Sequence, residues 1–157
     1  MQFSFSYNKI KTLQGLRYHF ISRIEIKVMM ILVNVFAIAS AILFYTKKIR
    51  PESFLLGSCI WVFMMLAVWY ILPYSIYRKS NTFKESFIIY LNDYNINLES
   101  ERGSVSWEWS KFQRFIETPH FFHLYFNAKS FFLIPKDDIG IEMQHEIRAL
   151  FNKKIGK

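Results

Sequence analysis

The chain has 157 residues, 52% hydrophobic and 19% aromatic, with 17 Phe, 9 Tyr and 4 Trp against 5 Gly and 4 Pro, which excludes a disordered or low-complexity polymer. That length holds one ordinary domain, or a membrane anchor with a small domain attached. The net charge of +8 arises in residues 1–81, where ten Lys and Arg face only Glu25 and Glu52, while from Thr82 onward ten bases meet ten acids. Positive charge therefore flanks hydrophobic segments and does not form the stripe of a nucleic-acid-binding face.

Residues 2–7 alternate polar and aromatic side chains, the period of a strand with one buried face, and such a strand needs a sheet to join. Over residues 8–22 the apolar Ile10, Leu13, Leu16, Phe20 and Ile21 recur at helical spacing, with Lys9, Lys11 and Arg17 among the polar positions. This predicts an amphipathic helix, either lying at the membrane surface or packed on a soluble domain. Residues 1–23 thus read as an N-terminal strand and helix.

Residues 28–45 are uncharged, with only Asn34 and Ser40 polar, and residues 54–77 are again uncharged, closing on Arg78 and Lys79. Each is long enough to cross a bilayer, and the predicted transmembrane helices run over 24–46 and 53–77. Trp69, Tyr70, Tyr74 and Tyr77 are placed for an interfacial belt, and Pro73 predicts a kink. The first span begins too far into the chain for a cleaved signal peptide. The short connection with Pro51 and Ser53 predicts an antiparallel hairpin with both termini on one side. Eight bases on the terminal side (Lys9, Lys11, Arg17, Arg23, Lys27, Arg78, Lys79, Lys84) against Lys47, Lys48 and Arg50 in the loop put the termini inside. Lys9, Lys11, Arg17, Arg78, Lys79 and Lys84 are the expected membrane-surface bases. Asn34 needs a partner at membrane depth and is expected to be an interhelical polar contact, with Ala37 and Ala41 as small residues that let the helices approach. Cys59, the single cysteine, lies inside the second run and reads as a small apolar side chain.

After Thr82 the period changes to two. Alternating runs over 83–91 and 94–99, with a turn at Asn92-Asp93, predict a hairpin; a turn at 100–103 leads to a strand carrying Val105, Trp107 and Trp109, followed by strands near 112–117, 121–126 and 130–134. Trp107 and Trp109 would share a strand face and are the candidate interaction surface, although burial of at least one suits a small core. Pro135 ends the last strand, Asp137 or Asp138 can cap a helix presenting Ile139, Met143, Ile147, Leu150 and Phe151, and Lys153, Lys154 and Gly156 suit its end. A curled antiparallel meander closed by a C-terminal helix is the pleckstrin-homology-like (PH-like) arrangement. The fold class expected is an α+β membrane protein: a two-helix transmembrane hairpin and, over 82–157, a PH-like antiparallel β domain.

Ser104-Val105-Ser106-Trp107, His123-Leu124-Tyr125 and Ile134-Pro135-Lys136, set after a strand, a helix and two membrane helices, resemble the YcxB-like proteins of bacteria. The likeness extends over nearly the whole chain and is best from Phe83 to Phe151. It implies a location in the bacterial inner membrane and a PH-like domain, and brings no catalytic residues with it.

No nucleophile elbow, phosphate-cradling glycine loop or paired Cys/His set occurs, so no catalytic residue, metal site or cofactor is expected. His120 and His123, three apart on a strand, point to opposite faces, and Glu142, His145 and Glu146 lack the matching ligand set of a helical metal site. The function expected is a non-enzymatic, membrane-tethered interaction module that binds a protein partner or a second copy of itself through a sheet edge or loop rim, for instance an immunity protein against a membrane-acting toxin. The alternative is a protein whose domain recognises lipid headgroups, membrane lipids being partners in either case. Neither nucleic acid nor a small-molecule substrate is expected.

Overall fold

The computed structural model describes residues 1–155, so Gly156 lies outside the described residues. The chain is α+β: antiparallel sheets, two long apolar helices and a C-terminal helix. It divides into two compact units, Met1–Gly15 with Ser80–Lys157, and Leu16–Lys79.

The first unit begins with β1 (Gln2–Ser6), whose partner lies some eighty residues away in β2 (Ser86–Leu91). Hairpins then add β3 (Asn95–Ser100) and β4 (Gly103–Glu108), giving a four-stranded antiparallel sheet in the order β1-β2-β3-β4. The sheet that the opening strand needs is therefore that of the C-terminal domain. Residues 82–157 are not a separate module, because Phe3 and Phe5 belong to their core. The N-terminal ammonium extends the pairing by donating to the Leu91 carbonyl at 2.9 Å.

Alternation sorts this sheet into two faces. Phe5, Phe87, Ile89, Ile96 and Leu98 are buried, while Ser4, Ile88, Glu99 and Ser104 form one row of the outer face and Gln2, Tyr90, Asn97 and Ser106 the next. A second sheet holds β5 (Arg114–Glu117), β6 (Phe121–Tyr125) and β7 (Phe131–Pro135), also antiparallel. Every residue of β6 is buried. Phe122 and Leu124 enter the main core, and on the other face Phe121 meets the first half of α1 (Lys9–Ser22). There Gly15 fits because a Cβ would stand only 3.0 Å from the Phe121 ring and 3.5 Å from Leu133. The Asn8 side chain caps α1, accepting from the amides of Ile10 and Lys11. The buried positions of α1 are Thr12, Gly15, Leu16, His19 and Phe20, whereas Ile10 is exposed. The apolar stripe over 8–22 thus differs from the buried face, because contact at Gly15 selects small size over hydrophobicity.

Several local expectations change for steric or hydrogen-bonding reasons. Phe83 lies in a 3-10 turn (Thr82–Lys84), Tyr94 is an exposed turn residue, and β5 starts two residues later than expected. Neither Asp137 nor Asp138 caps α5 (Ile141–Lys154): Gly140 occupies that position, and Asp137 pairs with Lys11 at 2.7 Å. The apolar face of α5 packs as its spacing predicts, with Ile147 and Phe151 fully buried in the core.

The second unit contains α2 (Ile24–Tyr45) and α3 (Pro51–Leu66), which continues through a π-helical turn (Ala67–Ile71) into α4 (Leu72–Lys79). Ile24–Tyr45 and the continuous helical stretch Pro51–Lys79 are both long and apolar enough to cross a membrane. No residue of α2 or α3 is buried. The two are antiparallel, with Phe44 stacked on Phe54 at 4.5 Å and Trp61 Nε1 donating to Asn34 Oδ1 at 3.3 Å. A Schellman arrangement ends α2: the Lys48 amide bonds Leu43 and the Lys47 amide bonds Phe44, with Lys47 in the left-handed region at φ 55°.

Candidate functional site

The feature of the first unit most open to a partner is the β4 edge. Among the described residues no strand lies on its far side, and every residue of β4 is exposed except the half-buried Trp107. Its central run Gly103-Ser104-Val105-Ser106-Trp107 contains no Lys or Pro, the residues by which natural edges refuse a neighbour. The other edges are less available. β5 carries Arg114 and Glu117, β7 ends in Pro135, and the chain leaving β1 is joined to β7 where the Tyr7 hydroxyl donates to the Leu133 carbonyl at 2.6 Å. Burial pushes the Tyr7 hydroxyl pKa up, so it stays a protonated donor. The outer face flanking β4 is almost purely polar, with Asn95, Asn97, Ser104 and Ser106, the carboxylates Glu99 and Glu108, and no cation in any of its four strands. Tyr90 donates to Glu99 at 3.2 Å, and desolvation followed by the Glu99 charge raises its pKa.

The two tryptophans do not form a joint surface. Trp109 has left the strand for a 3-10 turn (Trp109–Lys111), is buried against Phe151, and donates its Nε1 to the Asn92 carbonyl at 3.0 Å. An indole needs both apolar cover and one acceptor, and the β2–β3 turn supplies the acceptor. Trp107 faces inward too, packing on Phe112, Phe126 and Phe132. Val105, half exposed beside it, is the apolar residue that β4 offers.

A second cluster fastens α5. Glu117 accepts two bonds from Arg148, at 2.6 and 2.7 Å, and one from Lys136 at 2.7 Å. The Arg148 hydrogen bond is the main cause that lowers the Glu117 pKa to about 2, with Lys136 adding to it, and Arg148 is raised in turn. Arg148 Nη1 also lies 2.8 Å from His145 Nδ1. His123 is buried on β6 with Nε2 3.2 Å from the Thr118 hydroxyl, and His120 precedes the strand. Each of these groups is held by neighbours that define the fold.

The expected membrane-surface bases do not act alike. Arg78, Lys79 and Lys84 are exposed, and Lys9 is exposed as well. Lys11 is neutralised by Asp137. Arg17 makes a specific contact that spacing does not reveal. Proline 73 has no amide hydrogen to give the Trp69 carbonyl four residues earlier, the helix widens into the π-turn at that point, and Arg17 Nε donates to that carbonyl at 2.8 Å. The guanidinium lies over the Tyr70 ring at 5.2 Å. The signal available in sequence was Pro73, whose orphaned acceptor at Trp69 follows from arithmetic.

In the helical hairpin, Asn34 Nδ2 donates to the Met30 carbonyl at 2.7 Å while its oxygen accepts from Trp61. Ala37 and Ala41 line a groove of about 840 Å³ between α2 and α3, together with Gly57, Ser58 and Trp61.

Residues 91–151, from the end of β2 to the last turns of α5, match the profile of the YcxB-like protein family, and the two long apolar helices lie N-terminal to the match. No curated protein and no solved structure matches the chain.

Proposed function

We propose that the chain is a non-enzymatic interaction module tethered to the inner membrane of a bacterium, with a PH-like domain and both termini at the cytoplasmic face. Four strands in one antiparallel sheet, three in another and a closing C-terminal helix support the PH-like reading. The pairing of β1 with β2 supports the membrane topology independently of charge. The intervening chain must return to the side it left, so an even number of crossings is needed, and it contains two helices able to cross. Bases at the terminal ends of those helices favour the inside for that side.

The observation that carries the interaction role is the exposed β4 edge without a gatekeeping residue. A partner adding a strand there would gain main-chain hydrogen bonds, with specificity supplied by alternate side chains such as Val105. The two carboxylates and absence of cations on the adjoining outer face weigh against docking that face on an anionic membrane and favour a protein partner. Copurification from the native host in gentle detergent tests the reading. The intact protein should return a partner that Val105→Lys loses while its thermal unfolding stays the same. A protein that repeatedly returns alone, or a partner indifferent to the lysine, defeats it.

A further inference from the structure

The hairpin contacts fix the depth of the π-turn. Phe44 lies level with Phe54 and Asn34 with Trp61, and continuing this antiparallel register brings Lys27 level with Val68. About 20 helical residues cross a hydrocarbon core, so a span starting at Pro51 reaches the inner boundary near Tyr70. Trp69 and Tyr70, both exposed, and the Arg17 guanidinium therefore stand at the depth of lipid phosphates.

An arginine at that depth has five donor hydrogens. Nε is spent on the Trp69 carbonyl, and the Tyr70 ring supports the plane of the group. Among the described residues no carboxylate pairs with Arg17, and neither Nη makes a hydrogen bond to protein. The result is an immobilised cation with four unspent donors in a rigid fork, the geometry that matches two oxygens of a phosphate. Arginine also fits better than lysine here, because its weaker hydration lowers the cost of standing beside apolar surface.

We propose that Arg17 is the receptor for the phosphate of an anionic lipid headgroup, bound through both Nη groups against the Trp69–Tyr70 surface. The site depends on the membrane placement proposed above and not on any partner at β4. Because the second helix widens into its π-turn just before Pro73, the lipid would bridge the guanidinium and that turn without any further protein cation.

The full chain, placed in nanodiscs of phosphatidylcholine doped with phosphatidylglycerol, is released and its retained lipids are counted by native mass spectrometry. Phosphatidylglycerol should be retained in preference. Arg17→Lys, which keeps the charge and a donor for the Trp69 carbonyl but loses the fork, should reduce that preference several-fold, and Lys79→Gln should leave it nearly unchanged. Loss in Lys79→Gln with none in Arg17→Lys would mean that charge alone attracts the lipid, and equal loss in the two variants would mean that the preference does not arise at Arg17; either overturns the site. Inorganic phosphate raising the melting temperature as much as phosphatidylglycerol does would assign the fork to a soluble anion and overturn the lipid. A chain that remained dispersed in water without detergent would instead refute the membrane placement itself.

Discussion

Gly15 stands where two opposed residue-scale effects can be weighed. Alanine in place of a helical glycine gains about 1 kcal/mol in helix propensity. The added methyl would stand 3.0 Å from the ring of Phe121, which is only 1% exposed and has nowhere to retreat. Overpacking of a closed core costs about 1–3 kcal/mol, so Gly15→Ala should lower the thermal midpoint, and a raised midpoint would show that the ring yields. Glu117 gives a prediction in pH. Its folded pKa, about 2, lies below its unfolded value, so the carboxylate binds fewer protons when folded. The stability it contributes is present above the unfolded pKa, near 4.3, and is lost as pH falls through the window toward 2. Glu117→Gln should therefore destabilise the protein at neutral pH and flatten the decline between pH 5 and 2, as read from melting curves across that range. Parallel curves for the two proteins would contradict the assignment of the lowered pKa to this residue.

At the scale of elements, the π-turn and α1 are coupled through one carbonyl. With Pro73→Ala an amide hydrogen becomes available to Trp69, so the Arg17 bond should matter less in that background. A cycle of Arg17→Ala, Pro73→Ala and the double variant, followed by thermal unfolding in detergent, should give a coupling on the order of 1 kcal/mol, and additive losses would mean that the two residues act separately. Much of the element order is legible in the sequence. The alternation of β1 to β3 and the spacing of α5 carried their buried faces, and two uncharged runs carried the two long apolar helices. What was not legible depended on neighbours distant in sequence. β6 shows no alternation because α1 covers its second face at Phe121. Trp109 leaves its strand because the Asn92 carbonyl is the acceptor its indole reaches. Asp137 fails as a cap because Lys11, far away in the chain, takes its charge. The Arg17 contact escaped for the same reason, since helical spacing marks a face but does not show which acceptor lies opposite it.

The whole molecule is a small β domain interrupted after its first strand and helical turns by a hairpin of two long apolar helices, which makes the domain discontinuous in sequence. That arrangement determines what happens when the parts are separated. A chain beginning at Ser80 keeps six strands and α5 but loses Phe3 and Phe5 from the core, the Gly15 contact over β6, and the Tyr7 hydroxyl that joins β1 to β7. Full burial of two phenylalanines contributes about 3–6 kcal/mol, against a total stability of about 5–15 kcal/mol for a domain. The truncation also uncovers β2 along its whole length, and its uncharged run Ser-Phe-Ile-Ile-Tyr-Leu is an aggregation-prone edge once β1 is gone. Residues 80–157 alone should therefore aggregate or lack a cooperative melting transition, and fusing residues 1–15 ahead of Ser80 through a flexible linker should restore a soluble, cooperatively melting domain. Circular dichroism melts and size-exclusion profiles of the two chains distinguish the outcomes. If residues 80–157 by themselves gave a sharp transition and a monomeric profile, β1 would be an accessory to the sheet, and the even-crossing argument for the membrane topology would lose its foundation.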